Sequence, residues 1–173
     1  MKQMKKITLI TGLMVAGWLI TSCSISYKFN QSSIDYTKVS SISIRDFPNL
    51  AQLVYAPLAQ QLTEALKDKY TRQTKLRMIP NGGDLDLEGE ITGYSFMPLA
   101  VSDNSYASQT RLTITVRVRF TNKSDPEQDF EKTYSAKQEF ENTSTIDQVQ
   151  DALCDVIMKE IIDLIYNDTV ANW

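Results

Sequence analysis

Residues 111–120, RLTITVRVRF, decide the fold of this chain. Apolar side chains alternate without error there against polar or charged ones, which is the pattern of a β-strand with one buried face and one polar face. The apolar positions are Leu112, Ile114, Val116, Val118 and Phe120. The stretch therefore predicts an antiparallel sheet that needs a covering layer on one side only.

Two further strands are predicted beside this one. Residues 84–96 alternate in the same way, with Gly89 and Gly93 on the apolar face and four acids, at positions 84, 86, 88 and 90, on the other. A turn around Ser124-Asp125-Pro126 leads into a return strand over residues 129–140. Together the three strands form an antiparallel meander, and residues 97–109 form the loop between its first two strands.

The remaining elements supply one more strand and two helices. A strand is predicted over residues 39–47, an amphipathic helix over about 57–71, and a short extended piece at 76–79. Thr145 and Gln148 form a capping box that begins the last helix, which is predicted to end near residues 166–168. Its apolar stripe comprises Val149, Leu153, Val156, Ile157, Ile161 and Leu164.

The predicted fold class is α+β, with the order β-α-β-β-β-α. It is a two-layer sandwich in which two helices cover one face of a four-stranded mixed sheet. The sheet consists of the three-stranded antiparallel meander and one strand that joins it through a helical crossover.

The start of the chain is typical of a lipoprotein signal. Lys2, Lys5 and Lys6 precede an apolar run over 7–20, and a small-residue pair leads directly to Cys23. Cleavage before Cys23 would leave its thiol to carry lipid, palmitate included. The predicted organisation is a signal peptide over 1–22, a lipidated tether over 23–38 and one domain over 39–173.

Composition narrows the functional classes. The 21 acidic residues outnumber the 18 basic ones, which gives no support for nucleic-acid binding. Ser24, rather than aspartate, follows the lipidation position, which favours the outer membrane. Residues 24–29 contain no acidic cluster of the kind that exports some lipoproteins to the cell surface, so the domain is expected on the periplasmic side. With Cys23 lipidated, Cys154 is left; it is predicted to be a small buried apolar residue, the alternative being an intermolecular disulfide.

No stretch of the sequence points to catalysis. The chain has no histidine, and it carries no nucleophile elbow, phosphate loop or metal-ligand spacing. The acidic stretch 84–90 could form a calcium or acid–base site, or a solvated acidic face that pairs with a basic neighbouring strand. We therefore predict no catalytic residue, no cofactor and no metal.

A basic stripe along the central strand is the candidate binding site. It comprises Arg111, Arg117, Arg119 and Lys123. Arginine forks suit phosphate recognition, so the stripe could contact glycolipid phosphates.

The same stripe could instead be a cross-strand set of ion pairs. If Phe120 lies opposite Phe130, then Arg119 lies opposite Glu131 and Arg111 opposite Glu139.

A family resemblance rests on the order and spacing of several short motifs after the lipidation cysteine. They are YKF at 27–29, ISI at 42–44, FPN at 47–49, LTEALKDK at 62–69, LDLEGEI at 85–91, RLTITV at 111–116 and VANW at 170–173. The chain resembles a divergent branch of the LptE family, lipopolysaccharide-assembly lipoproteins of the outer membrane. The resemblance implies four strands and two helices, and a noncatalytic plug in an LptD-type β-barrel that delivers lipopolysaccharide to the outer leaflet.

Two other functional classes are alternatives to this one. A freestanding lipoprotein that binds a small lipid or glycan would need a deep apolar pocket. An enzyme would need close carboxylates with raised pKa values inside a cleft.

Overall fold

The structure is a computed structural model that describes residues 35–99 and 109–170. The predicted signal peptide (1–22), Cys23, most of the tether (23–38) and most of the 97–109 loop lie outside the described residues.

Five strands and two long helices make up the described chain. They are β1 (Ser41–Ile44), α1 (Pro57–Gln73), β2 (Arg77–Met78), β3 (Leu85–Pro98), β4 (Gln109–Asn122), β5 (Phe130–Glu141) and α2 (Ile146–Thr169), with a 3-10 turn at Pro126–Gln128 between β4 and β5. Both helices cover the same face of the sheet, so the predicted α+β sandwich is confirmed. None of the described helices is long and apolar enough to cross a membrane.

The sheet has five strands where the sequence predicted four. Its order is β2-β1-β3-β4-β5, with β1 parallel to both neighbours and the other pairs antiparallel. The added strand is the short piece at 76–79, whose Arg77 N–H donates to Ser40 O at 2.9 Å and whose Ile79 N–H donates to Ile42 O at 2.9 Å. A strand of two residues is too short to show alternation in the sequence. Its place in the sheet is therefore seen only from its hydrogen bonds to β1.

The core lies between the helices and the sheet. In α1 the predicted apolar side is buried, at Leu58, Leu62, Leu66 and Tyr70. Cys154 of α2 is buried, as predicted, and this burial raises the pKa of its thiol to about 11.

The predicted stripe of α2 is wrong at two positions. Val156 is 50% exposed and Leu164 is 41% exposed, while Met158, Ile162 and Ile165 are buried instead. Each residue turns a helix by about 100°, so Val156, five positions before Ile161, lies about 140° from the buried centre line. The apolar residues of α2 thus extend beyond the face that the sheet covers.

A bulge in β3 moves one predicted core position to the other face. The pairing with β4 shifts between Ile91 and Gly93, so Gly93 lies opposite Thr115 and Tyr94 opposite Ile114. Gly93 is therefore on the polar face, contrary to its predicted place. The shift brings Tyr94, which is 5% exposed, into the core.

Asp84 fastens the start of β1 to the start of β3. Its Oδ2 accepts from the backbone N–H of Ser40 (2.9 Å) and Ser41 (3.0 Å) and from both serine hydroxyls, at 3.1 and 2.8 Å. The backbone N–H of Ser40 is the strongest of these donors in lowering the pKa of Asp84 below its usual 3.8. The four bonds favour the ionised carboxylate.

Replacing Asp84 with asparagine is expected to lower the free energy of unfolding by about 1 kcal/mol, because a half-buried, charged hydrogen-bond acceptor is lost. A lowered pKa stabilises the folded state above 3.8 and ceases to do so as the pH falls through the folded-state value. Urea unfolding at pH 7 should separate the two proteins in their free energy of unfolding, and this difference should shrink as the pH falls below 3.8 and through the lowered folded-state pKa of Asp84. Asp46→Asn is the control, since this exposed carboxylate has one ion pair among the described residues, with Lys67.

Candidate functional site

The open face of the sheet carries the predicted basic stripe. Phe120 lies opposite Phe130, Arg119 opposite Glu131, and Arg111 opposite Glu139, as the sequence predicted. On the other side of β4, Glu88 lies opposite Arg119 and Glu90 opposite Arg117. The acidic strand and the return strand therefore both supply carboxylates to the arginines between them.

Seven side chains on this face are connected by ion pairs, and we call this set the charge ladder. It comprises Arg45, Asp86, Glu88, Glu90, Arg117, Arg119 and Glu131. Arg119 is its centre, since Nη1 lies 3.2 Å from Glu88 and Nη2 lies 3.4 Å from Glu131. Arg117 binds Glu90 and has its Nε 3.9 Å from Glu131.

Arg45 is the member of the ladder that the sequence did not single out. It follows β1 directly, and it lies 2.9 Å from Glu88 and 3.6 Å from Asp86. Its position continues the period-two row of Ser41 and Ser43, so alternation alone could have placed it on this face.

The ladder neutralises itself almost completely. Three arginines meet four carboxylates, and every arginine in it touches two of them. A phosphate would have to displace a carboxylate before it could occupy an arginine fork. The geometry thus supports the ion-pair interpretation of the stripe.

The other two predicted basic residues lie apart from the ladder. Arg111 is about 20 Å along β4 from Arg117, at about 3.4 Å per residue. It binds Glu139, with Nη2 at 2.7 Å. Lys123 lies beyond the other end of β4 and donates to Gly82 O at 2.8 Å. The structure therefore does not bring the four predicted residues into one site.

The described residues also hold no candidate metal centre. No group of three or more cysteine, aspartate or glutamate side chains in 35–99 and 109–170 is arranged to hold a metal ion. An open groove of about 430 Å³ lies beside α1, between residues 46–48 and the outer side of the helix. Lys67 and Asp46 line it and bind each other at 2.9 Å.

Replacing both Arg117 and Arg119 with alanine is expected to lower the melting temperature by about 3 °C, because exposed ion pairs contribute at most about 1 kcal/mol together. The loss should shrink in 1 M salt, which screens such pairs. Differential scanning calorimetry at two salt concentrations measures both effects. The matched control is Lys75→Ala and Lys159→Ala, which removes the same charge at lysines that form no ion pair within residues 35–99 and 109–170; a salt-independent loss would contradict the ion-pair interpretation.

Comparison with known proteins gives the following matches. The family model described as LptE, lipopolysaccharide-assembly, matches residues 39–169. No curated protein sequence matches the chain.

Solved structures share the fold at low identity. A minor lipoprotein from Acinetobacter baumannii is 14% identical with a TM-score of 0.51, over 78% of this chain and 94% of that one. A protein of Xanthomonas campestris is 12% identical with a TM-score of 0.54, over 78% and 86%. A protein of Chlamydia trachomatis is 11% identical with a TM-score of 0.51, over 78% and 99%.

Proposed function

The chain belongs to the LptE family of lipopolysaccharide-assembly proteins, and from this premise we propose that it is a noncatalytic outer-membrane lipoprotein that plugs and helps assemble a β-barrel translocon. The barrel is of the LptD type, and the assembly delivers lipopolysaccharide to the outer leaflet. The family match over residues 39–169 is the observation that carries the proposal.

The surface of the domain supports a place inside a barrel. The wide lumen of an outer-membrane barrel is polar, so a plug needs a rigid body with a polar exterior. Here the helices bury one face of the sheet, and the other face carries the charge ladder together with hydroxyl side chains such as Thr113, Thr115 and Ser135. A nearly neutral, polar face can lie against such a lumen without stranding an unpaired charge.

The lipid anchor forms the second part of the proposal. Lipid on Cys23 would hold the domain at the periplasmic side of the outer membrane. Each buried methylene contributes about 0.8 kcal/mol, so more than one chain makes attachment lasting. Anchoring beside the barrel also raises the effective concentration of the plug.

The glycolipid contact of Arg111, Arg117, Arg119 and Lys123 stays a prediction. Its test is lipopolysaccharide binding by the double alanine variant at 117 and 119, measured beside the melting temperature. Weakened binding supports the contact. Unchanged binding with lowered stability would mean that the arginines serve only in the ion pairs.

The proposed function is tested by co-purification. The full-length tagged lipoprotein is solubilised from outer membrane in mild detergent, and its partners are identified and quantified by mass spectrometry. A barrel protein of the LptD type in equal amount is the expected result, and an unrelated tagged outer-membrane lipoprotein is the control. If no barrel co-purifies, the chain is instead a freestanding lipoprotein that binds a small lipid or glycan.

A further inference from the structure

The outer edge of β5 has no neighbouring strand among the described residues. β5 is the last strand of the sheet, and it pairs with β4 from Phe130 to Glu141 without a shift in register. It contains no proline and no bulge, and these are two of the features by which natural proteins keep an edge strand from pairing. The edge is therefore regular enough to accept another strand.

Two hydrogen bonds of β4 give the direction of the backbone groups. Lys123 N–H donates to Asp84 O, and Gln109 O accepts from Leu99 N–H, so odd-numbered residues of β4 direct their backbone groups towards β3. Even-numbered residues of β4 direct theirs towards β5, because backbone groups alternate sides along a strand. Their partners in β5 are also even-numbered, so the odd-numbered residues of β5 direct their backbone groups outwards.

These outward groups form a row of free donors and acceptors. Within residues 35–99 and 109–170, the outward N–H and C=O groups have no hydrogen-bond partner. A regular row of this kind is a template for another extended strand, which is then held by main-chain hydrogen bonds. The row consists of Glu131, Thr133, Ser135, Lys137 and Glu139, all of them exposed.

One side of this edge is apolar, because α2 lies above β5. Asp168 accepts from the hydroxyl of Tyr134 at 2.8 Å, which places this side of α2 over β5. Leu164 lies four residues earlier on the same side and is 41% exposed. Tyr166, which donates to Gln73 O of α1, lies about 160° around the helix from Leu164. Leu164 therefore points away from α1 and past the free edge.

The other side of the edge is polar and carries one unpaired charge. The side chains of the row lie on the open face of the sheet, where Glu131 lies 3.4 Å from Arg119 and Glu139 lies 2.7 Å from Arg111. Lys137 forms no ion pair or hydrogen bond with any residue that the structure describes. A strand on this edge would therefore gain a favourable cross-strand pair from a carboxylate beside Lys137.

We propose, on the basis of the proposed plug function, that an extended segment of the barrel partner pairs with the outer edge of β5, with apolar side chains over Leu164 and a carboxylate beside Lys137. Successive side chains of a strand point to opposite faces, so the segment alternates apolar and polar residues. Outer-membrane barrel proteins are built from segments with this alternation. A closed barrel wall has no free edge, so the segment lies outside the wall, in a loop or a terminus of the barrel protein.

Co-purification of the full-length tagged chain from outer membrane tests the backbone pairing. The measured quantity is the amount of barrel protein recovered for each lipoprotein, by mass spectrometry. Thr133→Pro removes one outward N–H without touching the pairing with β4, a change that edge strands tolerate. It should lower recovery of the barrel about tenfold, because one hydrogen bond is lost and the facing carbonyl is left without a donor. Thr133→Ala should leave recovery unchanged, and the melting temperatures of both variants show that they fold.

Two further pairs of variants test the two sides of the edge, and they decide the proposal even if the proline variant fails to fold. Lys137→Glu should lower recovery about fivefold, because one carboxylate would then lie beside another. Lys75→Glu, between α1 and β2 at the far side of the sheet, makes the same charge change and should have no effect. Leu164→Gln should also lower recovery about fivefold, since apolar contact is lost. Val156→Gln, at a 50% exposed residue about 80° around α2 from Leu164, should not.

The outcomes separate this contact from the plug function. Full recovery of the barrel by folded Thr133→Pro and Lys137→Glu chains overturns the contact at β5 and leaves the plug function standing. Equal losses in Lys75→Glu and Lys137→Glu also overturn the contact, because recovery then does not depend on the edge. A wild-type chain that recovers no barrel overturns both proposals.

Discussion

Alanine in place of Gly89 is expected to lower the free energy of unfolding by about 3 kcal/mol, the upper range for overpacking a closed core. A Cβ at this position would lie 2.4 Å from Arg117 O and 2.5 Å from Cε1 of Phe47. Neither atom can move easily, because the first belongs to the central strand and the second to a ring that is 1% exposed. Urea unfolding monitored by far-ultraviolet circular dichroism measures this difference in the free energy of unfolding.

Gly93→Ala is the matched control for that loss. A Cβ there would meet the side chain of Thr115, with Cβ at 3.1 Å and Oγ1 at 3.2 Å, on the open face of the sheet. A shift of the two strands by a few tenths of an ångström relieves this contact at the open face, and alanine is preferred over glycine within a strand by up to about 1 kcal/mol. Gly93→Ala should therefore change the stability by less than about 1 kcal/mol; equal losses at 89 and 93 would contradict the bulge between them.

The register of the meander could be predicted because two constraints agree. A strand has a side-chain period of two, so a slip by one residue would expose the whole buried face. The short turn between β4 and β5 leaves few alternatives, and Phe120 opposite Phe130 fixes the rest. The ion pairs of Arg119 and Arg111 followed from that single choice.

The bulge in β3 could not be predicted in this way. Two glycines four residues apart fit an uninterrupted apolar face as well as a broken one. The choice depends on Tyr94, whose ring reaches Phe96 edge to face at 5.3 Å and whose hydroxyl accepts from Gln150 of α2 at 2.6 Å. A contact between residues so far apart in the chain carries no local signal.

The helix α2 shows a related limit. Periodicity gives the direction of an apolar stripe, but the width that is buried depends on what packs against it. Val156 and Leu164 belong to the stripe by sequence and to the surface by packing. The same limit applies to the candidate site. The sequence predicts that the arginines share one face, but it does not show that Arg119 is bound by both Glu88 and Glu131.

Serine in place of Cys23 is expected to abolish lipid attachment completely, because a hydroxyl lacks the nucleophilic thiolate on which the acyl-glycerol transfer depends. Growth with a clickable palmitate analogue should label the wild-type chain and leave the Cys23→Ser chain unlabelled. Without the acyl chains the domain loses about 0.8 kcal/mol of membrane attachment for every methylene. Cells that lack the barrel partner should then release the domain from washed membranes.

Cys154→Ser provides the matched control for the labelling, because it removes the chain's other thiol. That thiol is buried in α2, and burial raises its pKa to about 11, so it reacts poorly with acyl donors or thiol reagents in the folded protein. The Cys154→Ser chain should keep its full palmitate label and unfold more readily, since a hydroxyl replaces a buried apolar group. If the label persists in Cys23→Ser and disappears in Cys154→Ser, the lipid is attached at Cys154, within the domain. That result would contradict the proposed anchor at Cys23.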